Sequence, residues 1–157
     1  MLHSPSSLSE AARAQVCRAL NELVASSTDL WSMAKTAHWN VRGSDFLQLH
    51  ALFDEAAGVV YGQIDPIAER SVTLGGTVRG TVKDAAKVSR LEAFPGEEHS
   101  GPTLAAALLS RWLHHLAVMK MASKAATDNG DPDTANLLQE FIVEAEKVGW
   151  KLTAVLG

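Results

Sequence analysis

One histidine and three carboxylates lie on the same side of a single predicted helix. They are His50, Asp54, Asp65 and Glu69, and at about 100° per residue they share an arc of roughly 100°. Along the helix axis, His50 and Asp65 are ~22 Å apart at ~1.5 Å per residue, which is too far to bind one ion. The helix therefore carries two half-sites, a His/Asp pair and an Asp/Glu pair, each with i, i+4 spacing.

An antiparallel contact between two copies of this helix would join the half-sites. Its centre would lie near Val59, so that the His/Asp end of one chain meets the Asp/Glu end of the other. Gly58 and Gly62 lie beside that centre, and each costs ~1 kcal/mol in a helix unless a close approach offsets it. The spacing therefore predicts a site shared across a twofold axis.

His38 adds a further candidate ligand. It precedes the turn near Ser44 by as many residues as His50 follows it, so an antiparallel hairpin places both imidazoles at similar height. Two imidazoles with three carboxylates suit Fe²⁺, with Zn²⁺ or Mn²⁺ as alternative occupants. Residue types and spacing also allow a different interpretation, in which the acids lie on a solvated face and pair with Arg70 or lysines. In that case His38 would be a core residue whose ring nitrogens bind neighbouring protein groups.

Four long amphipathic helices are needed to position these residues. Pro66 interrupts the second pattern, where we expect a kink or local irregularity, and a short helix is predicted over 82–90 in the connector 77–102. The pattern predicts an all-α, ferritin-like four-helix bundle with a short helix in the central crossover. The helices are predicted to begin after N-caps at Ser9, Asp45 (with Gln48 in a capping box), Thr103 and Asp131, and to end near Asn40, Gly75, Asn129 and Leu156.

Length and composition bound the possible classes of protein. The chain has 157 residues, 46% of them apolar, and a net charge of −4, which suits one domain with its own core. We expect a short flexible segment over residues 1–8 and the bundle over 9–157. The single cysteine, the missing signal peptide and the lack of ~20 continuous apolar residues predict a cytoplasmic protein without a membrane span.

Several catalytic motifs are absent from the sequence. It contains no phosphate-binding G-x-x-x-x-G-K-[ST], no G-x-G-x-x-G, no H-E-x-x-H and no G-x-S-x-G. It also lacks E-x-x-H, the pair that ordinary ferritin-like di-iron centres place on two helices of one subunit. This argues against a di-iron centre inside the bundle. Cys17, the pair His114-His115 and the methionines Met119 and Met121 are interpreted as structural.

The segments around these ligands resemble the signature of the Dps family, the bacterial DNA-protection-during-starvation proteins or mini-ferritins. The resemblance covers most of the chain and implies a hollow dodecamer that oxidises Fe²⁺, preferentially with hydrogen peroxide, and stores ferric mineral. It also implies a ferroxidase site at a twofold interface, with His38, His50 and Asp54 from one subunit and Asp65 and Glu69 from its partner. The matching segments are 35–43 (Lys-Thr-Ala-His-Trp-Asn-Val-Arg-Gly), Phe46, 49–50, 52–55, Asp65, 67–70, 74–76, 80–81, 130–131, 134–135 and 137–138.

The resemblance implies roles for three further residues. Trp39 would lie near the iron, where its indole is oxidised in place of released radicals, with core or interface packing as the equal alternative. Asp131 and Asp133 would line the threefold pores through which iron enters, with ordinary N-capping and helix-dipole pairing as the equal alternative.

Two other functions remain as alternatives. A DNA-compacting protein would need cationic tails, but the first basic residue is Arg13, inside the first predicted helix. We therefore expect weak direct DNA binding. A catalytically silent helical oligomer is the other alternative, because Pro66 lies between Asp65 and Glu69 and could misplace either ligand.

Overall fold

Five helices make up most of the computed structural model, which describes residues 1–157. The all-α bundle predicted from the sequence is confirmed, including the short helix in its crossover. Helices α1 and α2 form one antiparallel hairpin, α4 and α5 form the other, and α3 packs against α1. The helices are α1 (Glu10–Asn40), α2 (Phe46–Thr73), α3 (Val82–Val88), α4 (Gly101–Asp128) and α5 (Pro132–Ala154).

Two of the four predicted N-caps are confirmed. The Ser9 hydroxyl accepts the Ala12 N–H at 3.2 Å, and the Asp131 carboxylate accepts the Thr134 N–H at 3.1 Å. The predicted capping box at Asp45 is wrong, because no side-chain bond caps α2 there. The Asp45 backbone is nearly helical, at φ −95° and ψ 13°. A capping residue needs an extended backbone, so that its side chain can accept an N–H of the first helical turn.

The predicted start of α4 at Thr103 is also wrong. The helix begins at Gly101, after Ser100, because packing fixes the chain at this point. A Cβ at Gly101 would lie 2.4 Å from the Leu49 side chain, so the helix starts in direct contact with α2. At the other end of the chain, α5 ends at Ala154, two residues before the predicted Leu156.

Pro66 does not interrupt α2, which runs through it from Phe46 to Thr73. The proline removes one amide donor from the helix ladder, and the carbonyl four residues earlier belongs to Gly62 on the exposed side. In the isolated chain, water can therefore satisfy that carbonyl. Asp65 and Glu69 consequently remain on one continuous helix.

The crossover is tied to both hairpins. Ser89 Oγ donates to the Asp29 carboxylate on α1 at 2.6 Å, and Arg111 Nη2 on α4 donates to the Ala93 carbonyl at 2.8 Å. At the N-terminus, the Leu2 N–H donates to the Gly75 carbonyl at 2.8 Å, so residues 1–8 pass beside the end of α2. The predicted flexibility of that segment stays a prediction.

Two apolar clusters fill the bundle. One surrounds Trp112 and Phe53, and the other surrounds Leu20 and Met119. Where they meet, in the middle of α1, α2 and α4, four polar side chains are buried, which we call the polar layer: Ser26, Ser27, Gln63 and His115. No buried carboxylate lies in this layer, so it lacks the ligands that a di-iron centre inside one bundle requires. None of the helices combines the length and hydropathy needed to cross a membrane.

Candidate metal centre

The turn between α1 and α2 brings His38 and His50 together. Gly43 supplies the positive φ of +110° that lets the chain reverse. The two imidazole rings stack with centroids 3.7 Å apart and planes 22° apart. The prediction that they lie at similar height is confirmed.

Each histidine is held by the backbone of the other. His38 Nδ1 donates to the His50 carbonyl at 2.8 Å, and His50 Nδ1 donates to the His38 carbonyl at 2.9 Å. Because a carbonyl only accepts, both Nδ1 atoms carry the hydrogen when the rings are neutral. Each Nε2 then keeps a free lone pair, the arrangement that backbone carbonyls impose on metal-binding histidines. Both rings are half-buried, which leaves one edge open to a cation.

Asp54 lies one helical turn beyond His50 and is exposed. Lys35 Nζ donates to its carboxylate at 2.8 Å, and this hydrogen bond with the lysine charge lowers the pKa of Asp54. The carboxylate is therefore ionised at neutral pH, and the ammonium binds one of its two oxygens. A cation that binds Asp54 competes with Lys35 for this carboxylate.

Lys35 is the site residue that the sequence analysis did not identify as part of the centre. The available signal was its position three residues before His38, which places both on one face of α1. Its Nζ also lies 5.8 Å from the centre of the Trp39 ring. Trp39 is 68% exposed, so it does not pack in the core of the single chain.

Asp65 and Glu69 form the second half-site, and both are exposed. Neither takes part in any of the chain's ion pairs. The alternative in which Arg70 neutralises them does not occur, because Arg70 Nη2 binds Asp131 at 2.7 Å. Within one chain no three His, Cys, Asp or Glu side chains are close enough to hold a metal. The two half-sites are thus separate in the isolated chain, and His38, His50 and Asp54 do not form a three-ligand cluster within it.

The surface between the half-sites is open. A Cβ at either Gly58 or Gly62 would meet nothing within 4 Å, and Tyr61 between them is 63% exposed. Its ring rests against Trp31 of α1, with centroids 5.7 Å apart. We give the name ligand stripe to this face of α2 together with the half-buried histidine pair beside its start: His38, His50, Asp54, Gly58, Tyr61, Gly62, Asp65 and Glu69.

The two acidic residues that the resemblance assigns to a pore, Asp131 and Asp133, have different surroundings at the start of α5. Asp131 is 1% exposed, caps α5 and pairs with Arg70, so the capping interpretation is confirmed for it. Its carboxylate has no free oxygen for a passing cation. Asp133 is exposed in the same turn and remains the candidate pore residue.

Comparison with known proteins places these features in a family. The family model of the ferritin-like domain matches residues 17–157 of this chain. The chain is 33% identical over 144 residues to DNA protection during starvation protein 2 of Bacillus anthracis, covering 91% of this chain and 97% of the relative. It is 32% identical over 143 residues to the DNA protection during starvation protein of Agrobacterium fabrum, covering 91% and 88%.

Solved structures agree with this assignment. DpsC from Streptomyces coelicolor superposes with a TM-score of 0.93 at 29% identity, covering 99% of this chain and 91% of that one. The Dps protein from Vibrio cholerae, described as a member of a broad superfamily of ferritin-like diiron-carboxylate proteins, superposes with a TM-score of 0.91 at 26% identity, covering 100% and 98%. Sequence and fold together show that this chain belongs to the Dps family of ferritin-like proteins.

Proposed function

We propose that this protein is a ferroxidase and iron-storage cage. Two chains pair through the ligand stripe, and His38, His50 and Asp54 of one chain face Asp65 and Glu69 of the other. The observation that carries the proposal is the stacked histidine pair, whose Nδ1 atoms are bound to carbonyls. Two stacked, half-buried imidazoles that each keep a free Nε2 suit a metal ligand pair better than a packing role.

The open stripe supports the twofold arrangement. Gly58 and Gly62 lie close to its midpoint without any neighbour, so two α2 helices can approach closely there. An isologous contact duplicates every interaction. The His/Asp end of each chain therefore meets the Asp/Glu end of the other chain. Each dimer then has two sites, which a single chain cannot complete.

The donor set suits oxidation of Fe²⁺, which is the substrate. Three carboxylates offset most of the charge of two ferrous ions, and imidazole and carboxylate both accommodate Fe²⁺ and Fe³⁺. Two Fe²⁺ each give one electron to one hydrogen peroxide molecule, whose O–O bond breaks. Two protons complete two water molecules, so atoms and charge balance without release of a hydroxyl radical. Lys35 leaves Asp54 when iron binds.

Storage requires an enclosed space, for which we propose the hollow dodecamer of the family. Asp133 would attract Fe²⁺ at the pores, and ferric mineral would accumulate inside. Removal of both Fe²⁺ and peroxide in this way protects DNA and the cell from oxidative damage. Trp39, exposed beside the histidine pair, would be oxidised by any radical that escapes.

The activity is tested by anaerobic titration with Fe²⁺ followed by addition of hydrogen peroxide. We expect a rise in ferric absorbance that is faster than in a protein-free blank. Dioxygen in place of peroxide should give a slower rise. A rate equal to the blank with both oxidants would exclude the enzyme and leave the silent oligomer.

Mixed cages test whether the site is shared. His50→Ala and Glu69→Ala each damage every site of their own homodimers. After both are dissociated and reassembled together, about half of the dimers are mixed, and one site in each has all its ligands, so roughly a quarter of the wild-type sites return. Recovery of no activity from reassembled cages would place all the ligands within one subunit.

Direct DNA binding is proposed to be weak. The chain carries net charge −4, and phosphate contacts supply most of the affinity of non-specific DNA binding. A gel shift at physiological salt should show little retardation. A strong shift that disappears steeply with salt would favour the DNA-compacting alternative.

A further inference from the structure

A basic groove lies between α1 and the crossover. It consists of a cavity of ≈ 460 Å³ beside the loop after α2 and a neighbouring cavity of ≈ 380 Å³ beside the end of α3. Both cavities share Glu22 and Val88. The charged side chains that line them are four basic residues, Arg18, Arg79, Lys87 and Arg90, and one acid, Glu22. The groove is therefore positive on a chain whose net charge is −4.

The basic side chains of the groove have no protein counter-ion. None of the seven ion pairs of the chain includes Arg18, Arg79, Lys87 or Arg90. All four residues are exposed. A guanidinium without a carboxylate partner keeps its donors free, and its planar fork matches the oxygens of a phosphate group.

The wall that carries Arg79 is fixed against α1. Asn21 Nδ2 donates to the Cys17 carbonyl at 2.9 Å, and its Oδ1 accepts the Arg79 N–H at 3.2 Å. A Cβ at Gly76 would lie 2.7 Å from Cys17 Sγ, so the loop can descend onto α1 only with glycine there. The backbones that carry Arg18 and Arg79 are thus held in place before any ligand binds, which lowers the entropic cost of binding.

We propose that the groove binds the phosphate group of a small organic phosphate of nucleotide size. Arg18 and Arg79 donate to the phosphate oxygens, and Glu22 accepts a hydroxyl of the attached sugar. The larger cavity is within the usual range for small-molecule sites. A DNA duplex fits this groove less well, because Glu22 lies in both cavities and would face a continuous row of phosphates. The assignment does not depend on the iron site.

Calorimetric titration of the whole protein with adenosine monophosphate and with inorganic phosphate, at constant ionic strength, tests the proposal. We expect saturable binding of the nucleotide with a Kd below about 1 mM, and weaker binding of inorganic phosphate. Arg18→Ala and Arg79→Ala should each weaken nucleotide binding by about tenfold, as expected for a lost charge-assisted hydrogen bond. Arg42→Ala removes the charge of another exposed arginine with no ion-pair partner and should leave the Kd unchanged. Thermal melting of each variant confirms that it is folded.

Three outcomes would overturn the proposal. The first is no saturable binding of either phosphate. The second is an equal loss in Arg42→Ala, which would indicate general charge attraction. The third is binding of a short DNA duplex that requires Arg18 and Arg79 while the nucleotide does not bind, which would assign the groove to nucleic acid.

Discussion

The ligand stripe and the polar layer use the same side chain in opposite ways. At the stripe, His38 and His50 bind backbone carbonyls through Nδ1 and leave Nε2 at a half-open surface. In the polar layer, His115 is fully buried. Its Nδ1 lies 2.9 Å from Ser26 Oγ, and its Nε2 has no partner. Histidine type and Nδ1 anchoring are thus common to both regions, and the surroundings of Nε2 differ.

Its surroundings determine the charge that His115 can carry. Burial lowers the pKa of His115 to about 4, because the interior disfavours the imidazolium, so the ring stays neutral and polar among apolar neighbours. The stripe histidines lie next to the ionised carboxylate of Asp54 and to solvent. Only the stripe histidines therefore combine a free Nε2 with a neighbouring carboxylate and contact with solvent.

The largest expected effect separates the two regions by activity. His50→Ala removes a proposed ligand and should reduce ferroxidase turnover by more than the roughly 100-fold typical of residues that only support a ligand. His115→Gln keeps a polar group in the layer and should leave turnover within about twofold, since it touches no proposed ligand. The rate of Fe²⁺ oxidation by peroxide, measured for both folded variants and the wild type, checks this prediction. Loss of activity in His115→Gln alone would move the site into the bundle.

Acid should act on the polar layer through stability. The pKa of His115 falls from 6.5 to about 4 on folding, so folding favours the neutral ring. The contribution of the neutral ring to the free energy of unfolding is fully present above pH 6.5. It is lost as the pH decreases towards 4, because the unfolded chain then binds a proton that the folded chain does not. A pKa difference of one corresponds to 1.36 kcal/mol, so the free energy of unfolding decreases by about 3 kcal/mol.

Denaturant unfolding of the wild type and of His115→Gln at several pH values checks this. The variant should lose less stability between pH 6.5 and 4 than the wild type, although carboxylates titrate in both. Parallel curves for the two proteins would show that His115 does not control acid sensitivity.

The positions of the stripe residues could be predicted from helix geometry, whereas contacts between side chains of different helices could not be predicted from the sequence pattern. His38 and His50 flank one turn, so counting residues set their relative height. His115 follows Trp112 by three residues and precedes Met119 by four, a spacing that predicts the core face of α4, but its contact with Ser26 on α1 could not be read from it. The missed Lys35–Asp54 pair likewise joins two helices. The wrong cap at Asp45 depended on loop backbone angles that residue type does not determine.

A smaller effect is expected where the stripe is blocked by its own lysine. Lys35→Met removes the ammonium that competes with a cation for Asp54, so Zn²⁺ should bind the folded protein about two- to fivefold more tightly, in line with an exposed ion pair. The pKa of Asp54 should rise towards its usual value. Lys147→Met, which removes an unpaired exposed lysine on α5, is the control. Unchanged or weaker Zn²⁺ binding would show that Lys35 does not compete with the metal.

The smallest effect concerns the midpoint of the stripe. Gly58→Ala adds a methyl group that meets nothing in the isolated chain, so helix propensity alone should stabilise that chain by up to ~1 kcal/mol. If two α2 helices approach closely there, the methyl group enters the contact and weakens the dimer. Opposite signs for the two measurements distinguish a functional close approach from an ordinary exposed glycine.

Sedimentation equilibrium of the dimer, and denaturant unfolding at concentrations where the chain is monomeric, give the two quantities for Gly58→Ala. Gly96→Ala is the control, because that loop glycine also has open space around it and lies outside the stripe. A Gly58→Ala dimer as stable as the wild type would place the contact elsewhere on α2. The His/Asp and Asp/Glu half-sites would then lack the geometry that joins them, whereas the polar layer, which depends on one chain only, would be unaffected.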